Sequence, residues 1–382
     1  MELEALLAGL APARGRSWAA HWHEDHRTLV GVSRRGYGHL SLELLASGLP
    51  GLSGRDLRLV VPRAAVKPTR ARAAFLTATV HVHQSLAAGV ADAEPRMSQP
   101  DATDFYRRLG QVSEPVGWDA ASWPTWLKEL VDWVESRRVE RVRNTEFHAW
   151  HYRGRQVLSV RRTAADGYKL IAGVDYRTPT EDRPPPVRLH VLATEALTTD
   201  QAAGVRSAVD RAIERRRTGD DNTHREHLLQ AAIGTDPALI GMSHLRRELP
   251  AWRPKQKPYR GRAYIDFLGR DVDRTGHVIE TKIGPDAQLG IQTLDYWTWA
   301  NAHRAELAGH IDADPDRPFQ LDIVLDHATE PLLHPAAAAT LEAFGPEVDW
   351  RCHLVTEWDT ITMPQQLLTP EAEALRPRQL PD

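Results

Sequence analysis

The run Arg262-Ala263-Tyr264-Ile265-Asp266-Phe267-Leu268-Gly269, the polar turn from Asp271 to Gly276, and the return His277-Val278-Ile279-Glu280-Thr281-Lys282 decide how this chain reads. Both outer runs are short, contain β-branched and aromatic residues and meet at turn residues, which predicts a β-hairpin. Side chains alternate across a strand, so Glu280 and Lys282 share one face while Ile279 and Thr281 take the other. With Ile265 and Phe267 in the core, Asp266 is expected to converge on Glu280. Two carboxylates and a lysine on one sheet face suit the hydrolysis of a phosphodiester. Asp266 and Glu280 offer hard oxygen ligands to Mg²⁺ or Mn²⁺, and the Thr281 carbonyl can complete the shell. Lys282 can then position the attacking water or stabilise charge developing at phosphorus.

Beyond a Gly284-Pro285 break, Asp286 to Leu307 predicts a long helix. On it Gln288, Gln292 and Tyr296 fall four apart on one polar and aromatic stripe, and Leu289, Leu294, Trp297 and Ala300 are the expected core. Upstream, His224 to Ile233 predicts a helix carrying Glu226. Taken in order, Glu226, Asp266, Glu280-Thr281-Lys282 and Gln292-x-x-x-Tyr296 resemble the PD-(D/E)xK nuclease superfamily. The likeness is to the branch with a Gln-x-x-x-Tyr motif, which includes RecB-type nucleases, mismatch endonucleases and nucleases of phage defence. It covers roughly residues 220 to 330, and Ile265 stands where the family motif carries proline.

The resemblance implies a restriction-endonuclease-like core, a mixed central sheet flanked by helices. It implies a Mg²⁺- or Mn²⁺-dependent nuclease, with DNA favoured over RNA, in genome defence or repair. Asp266, Glu280 and the Thr281 carbonyl would bind the metal, Lys282 would assist the water, and Glu226, Gln292 and Tyr296 would support them. The alternative from another class is a nuclease fold without activity, serving as a nucleic-acid-binding or assembly module. Besides nucleic acid, a protein partner or a second copy of the chain is an expected partner.

The chain has 382 residues, 42% hydrophobic and 26% charged, the makeup of an ordinary soluble globular protein with room for two domains, here expected to be α/β in class. Arg215 to Asn222 is polar throughout and contains Gly219, so the boundary is expected near residue 218. Residues 1–217 would then form an α+β recognition, sensing or partner-binding domain, and 218–382 the nuclease domain. In the first part, strands are expected at Leu57–Val61 and Leu76–His81. Pro124 opens a helix marked by Leu127, Leu130, Val131 and Val134, and a strand meander follows over Glu146–Tyr152, Gln156–Arg161 and Tyr168–Tyr176. Val187–Leu192 adds a strand, and Thr198 or Thr199 caps a helix.

The net charge of −3 conceals opposite local signs. Arg137 to Arg162 holds eight arginines against Glu140 and Glu146. His244 to Arg262 holds Arg246, Arg247, Arg253, Lys255, Lys257, Arg260 and Arg262 against Glu248, and is the expected phosphate-tracking segment. The acidic part after Ala305 cancels both. Cys352 is the single cysteine, which excludes disulfide scaffolds and cysteine-built zinc sites within one chain. No run is long and apolar enough to span a bilayer, the N-terminus lacks a signal-peptide layout, and a reducing cytoplasm fits best. His21-x-His23-x-x-His26 has metal-ligand residue types at a spacing that suits no regular element. His81-x-His83 and the Trp123, Trp126 and Trp133 cluster read as packing rather than as ligands or base platforms. Neither a Walker-type loop nor a Gly-x-Ser-x-Gly elbow occurs.

Overall fold

The computed structural model describes residues 20–24, 28–33, 56–86, 89–112, 122–143, 147–163, 166–174, 184–218, 225–254, 261–327, 331–356, 358 and 372–375. Among these, three sheets form. The first is ordered β1 (Ala20–Glu24), β2 (Thr28–Ser33), β3 (Asp56–Pro62), β4 (Val80–Leu86), β5 (Gly89–Glu94). Strands β2, β3 and β4 run parallel. A parallel step needs a crossover, and α1 (Arg63–Ala73) supplies the one from β3 to β4. Helix α2 (Gln99–Arg107) follows, its first turn capped by the Ser98 side chain.

The second sheet is an antiparallel meander of β6 (Glu140–Arg143), β7 (His148–Tyr152), β8 (Arg155–Thr163), β9 (Gly167–Ala172) and β10 (Val187–Leu192). Two helices, α3 (Thr125–Glu135) and α4 (Thr199–Arg217), share its core. Thr198 caps α4 in a capping box with Gln201. The β7–β8 turn places Arg153 and Gly154 at positive φ, as a tight hairpin demands. Only glycine fits at 154, because a Cβ there would run into the His227 carbonyl oxygen.

The third sheet is six-stranded and mixed, ordered β11 (His244–Arg253), β12 (Gly261–Arg270), β13 (Gly276–Lys282), β14 (Gln320–Asp326), β15 (Trp350–Val355), β16 (Ala372–Leu375). β12 and β13 are the expected antiparallel hairpin, and β13 runs parallel to β14. Helices α6 (Leu289–Ala302) and α7 (Arg304–Ile311) lie between β13 and β14 in sequence, after α5 (Arg225–Thr235) and before α8 (Pro335–Glu342). The class is mixed α/β, as expected. The long helix expected over Asp286–Leu307 is broken at His303, whose φ of −117° leaves the helical range. No helix among the described residues is long and apolar enough to cross a membrane.

The compact units do not follow a boundary near residue 218. One comprises 1–112, 251–354 and 373–382; the other comprises 113–250 and 355–372. Buried arginines link distant segments within each. In the second unit, Arg216 donates to the carbonyls of Arg155, Gln156 and Val174, which fastens the end of α4 to the meander. Arg247 on β11 donates to the Glu140 carboxylate, the Gly154 carbonyl and Gln230 of α5, so the chain on both sides of residue 218 shares one network. In the first unit, Asp295 of α6 is fully buried and accepts a bidentate pair from Arg72 of α1, at 2.8 Å each. Tyr106 of α2 donates to it at 2.5 Å and Arg253 at 3.3 Å. Burial alone would push the Asp295 carboxyl up; Arg72, Arg253 and the Tyr106 hydrogen bond together outweigh it and hold the group below its ordinary value.

A second buried carboxylate, Asp322 of β14, joins three strands. His277 of β13 lies 2.5 Å from it, His353 of β15 2.8 Å, and Arg351 3.0 Å. Burial opposes ionisation, yet the hydrogen bonds from both histidines hold Asp322 well below the usual carboxylate range. Beside it, burial pushes the Cys352 thiol up to about 12, which leaves it unreactive.

Two outcomes are expected. Arg72→Met or Asp295→Leu alone should cost about 3–5 kcal/mol in urea denaturation, because each leaves a charge buried without its partner, and the double variant should lose less than the two singles summed. The depressed Asp322 gives stability that is complete above the ordinary carboxylate value of 3.8 and is lost as pH falls below it. Acid titration of Asp322→Asn should show a flatter decline than wild type over that window.

Candidate active site on the β12–β13 hairpin

Register places the hairpin's carboxylates. Phe267 pairs with Ile279 as the last matched position toward the open end, so Asp266 and Glu280 come next on their strands. Beyond that pair the strands are joined through a side chain. Asp266 Oδ2 accepts from the Thr281 backbone N–H at 2.8 Å and from Thr281 Oγ1 at 2.6 Å. This fixes the Asp266 carboxylate where ladder bonding stops. The threonine thus contributes its hydroxyl as well as its backbone, a role that the alternation of faces along β13 did not indicate.

Glu280 is 4% exposed and its Oε1 accepts from the Gln292 amide at 2.7 Å. The same amide nitrogen lies 3.5 Å from the Tyr296 hydroxyl. Glu280, Gln292 and Tyr296 are therefore brought together, because α6 presents residues four apart to the face of β13 that carries Glu280. Burial pushes the Tyr296 phenol well up, with Glu280 and Asp266 adding to the effect and Arg253 opposing it. Tyr296 stays protonated across the physiological range. Arg253 lies 5.3 Å over the Tyr296 ring while also reaching Asp295.

Lys282 closes the row on β13, and its Nζ lies 3.5 Å from Asp286 Oδ2. Asp286 was not singled out in the sequence, because Lys282 ends a strand and no helical spacing links it to Asp286 in the loop that follows. Asp295 was also missed. A lone acid inside the apolar stretch of α6 marks a buried, partnered carboxylate. Helix α6 is buried on nearly every side, Thr293, Asp295 and Thr298 included, so on the polar stripe Tyr296 is buried and Gln292 half-buried. Gln288 sits at the N-cap position of α6.

Other expected positions fare differently. Glu226 lies half-buried in the first turn of α5, in the second unit. Arg247 is 7% exposed and spent on Glu140, Gly154 and Gln230, so its expected role as a phosphate contact does not hold. Arg253 is likewise turned inward to Asp295 and Tyr296. Arg246 is half-buried on β11, Arg262 is placed on β12, and Lys255, Lys257 and Arg260 lie outside the described residues. His21 and His23 belong to β1 and His26 lies outside the described residues. His83 is buried on β4, where burial pushes it below its ordinary value and the Ala91 carbonyl lies 3.2 Å from Nδ1. Trp123 packs edge-on against His148 in the second unit's core, and Trp126 and Trp133 cover that core.

Asp266, Glu280 and the Thr281 carbonyl, expected to hold a cation, would offer it oxygen donors only. Among the described residues no group of three or more His, Cys, Asp or Glu side chains converges to hold an ion. Such an oxygen set would fit Mg²⁺, which keeps several of its waters, better than a cation needing a full protein cage. The bonds from Thr281 fall on Oδ2 of Asp266, and the bond from Gln292 falls on Oε1 of Glu280.

No protein-family model matches the chain, and no curated protein matches it. Among solved structures it is similar to the crystal structure of a repair endonuclease from Pyrococcus abyssi, at 14% identity and a TM-score of 0.20, over 60% of this chain and 95% of that one. So loose a likeness carries no argument about chemistry, which rests on the side chains described above.

Gln292→Leu should destabilise the protein by about 1–3 kcal/mol, since it leaves a buried carboxylate oxygen without its donor. Glu280→Gln on that background should recover part of the loss, read from urea midpoints at constant slope. Strict additivity of the two changes would count against the hydrogen bond.

Proposed function

We propose that the chain is a metal-dependent phosphodiester hydrolase acting on nucleic acid, DNA in preference to RNA. The observation that carries this reading is the Gln292–Glu280 hydrogen bond beside Tyr296, on a strand that also presents Thr281 to Asp266 and ends in Lys282. Asp266, Glu280 and the Thr281 carbonyl would hold Mg²⁺ or Mn²⁺, which when bound polarises a phosphate oxygen and acidifies a coordinated water. The protein's own groups prepare that site before any ligand arrives. Thr281 fixes the Asp266 carboxylate by two hydrogen bonds, and Gln292 fixes Glu280, so neither need reorganise on binding. Tyr296 remains a neutral hydrogen-bonding group beside Glu280. Lys282 brings an ammonium to the same strand end, where it can orient the attacking water or meet charge building on phosphorus. Work in genome defence or repair would follow from such an activity.

One observation favours a second reading, a nuclease fold retained as a binding or assembly module. Lys282 is paired with Asp286, and Asp266 with Thr281, which are the contacts of a structural hairpin. A plasmid nicking assay with added Mg²⁺ or Mn²⁺ separates the two. The wild type should cut only with metal present, and Glu280→Ala and Lys282→Ala should each lower the rate by at least about 10²-fold, the scale of removing one group that stabilises the transition state. Equal cutting by all three proteins would place the activity elsewhere, and no cutting by wild type with either metal would leave the binding module as the reading.

A further inference from the structure

The second unit carries a feature that the hairpin site does not use. Its meander is covered by α3 and α4 on one face, where Leu158, Val160, Leu170, Ala172 and Val191 lie in the core. Positions on the opposite face stand in cross-strand register. Arg161 of β8 is directly opposite Lys169 of β9, which is directly opposite His190 of β10, and all three are exposed. One step along β10, Arg188 is exposed on the same face, as is Leu192 on the other side of His190, at 39% exposure. No acidic residue occurs in β8, β9 or β10. Arg162, which falls on the covered side, pairs with Asp166 at the edge of the sheet.

Like charges directly opposite on neighbouring strands destabilise a sheet, and an exposed position would ordinarily alternate them with acids. Neighbouring strands are about 4.8 Å apart and alternate residues about 6.6 Å, so Arg161, Lys169 and Arg188 form a compact cationic patch around His190. We propose that this face of the second unit is a docking surface for the sugar-phosphate backbone of nucleic acid. Charge complementarity selects a polyanion. The exposed positions on β8, β9 and β10 include no Phe, Tyr or Trp, so bases have no broad ring to stack on, and binding is confined to phosphates without regard to sequence. Binding here is independent of the hydrolase reading and is measured in EDTA, where no metal-dependent cutting occurs.

The test is fluorescence anisotropy of a short labelled DNA duplex with the full chain in EDTA, from about 50 mM to about 200 mM salt. Wild type should bind and weaken steeply with salt. The charge reversal Lys169→Glu with Arg188→Glu, at exposed positions, should lower affinity about tenfold or more and reduce the log–log salt slope by about two, one for each phosphate no longer neutralised. Lys128→Ala, an exposed cation on α3, should leave both unchanged, and unaltered melting of the double variant shows that it folds. Wild type that fails to bind the duplex at low salt would overturn the proposal, as would a double variant that binds like wild type. Loss of binding to phosphatidylserine vesicles with DNA binding intact would assign the patch to a membrane and overturn it too.

Discussion

A carboxylate with no access to water organises the first unit. Asp295 is held by Arg72 and Tyr106, which precede it by 223 and 189 positions, and by Arg253 nearer in sequence. An ionised group at full burial is tolerated only when its lone pairs are met by well-placed donors. Helices α1 and α2 must therefore be in place for α6 to sit where it does. The consequence reaches the candidate site, because Tyr296 follows Asp295 in the chain and Arg253 touches both. The helix that supplies Gln292 and Tyr296 is anchored by Arg72 and Tyr106, which makes α1 and α2 part of the unit that bears the candidate site.

Arginine plays the same part elsewhere. Arg216 and Arg247 lie inside the second unit, where each meets several backbone or side-chain acceptors, and the planar guanidinium with its five donors suits such cross-linking better than lysine does. Segment charge sums in the sequence count these residues alongside exposed ones. The segment from His244 to Arg262 reads as a phosphate track, yet Arg247 and Arg253 are internal fixtures. The sheet formed by β8 to β10, in contrast, gathers its exposed cations from three strands that no single window of sequence unites.

The legible part of the candidate site was the part with local periodicity. Glu280-Thr281-Lys282 on a strand and Gln292 four residues before Tyr296 on a helix follow from the two-residue and 3.6-residue repeats, and the structure does join Gln292 to Glu280. Asp266 was expected to turn toward Glu280 and is hydrogen-bonded to Thr281, because the strand ladder ends there and a backbone N–H beyond its end draws the nearest acceptor.

What the sequence alone determined was local: the hairpin, the meander, the capped helix at Thr198, the mixed α/β class and the residue types that could surround a cation. The grouping of those elements was decided only in three dimensions. Residues 1–112 join 251–354, and 113–250 stand together across the expected break at 218. The physical reason is that alternation and capping act over a few residues and leave a trace in any short window. A buried ion pair couples residues hundreds of positions apart, and nothing in either window marks Arg72 as the partner of Asp295 until the chain has closed around them.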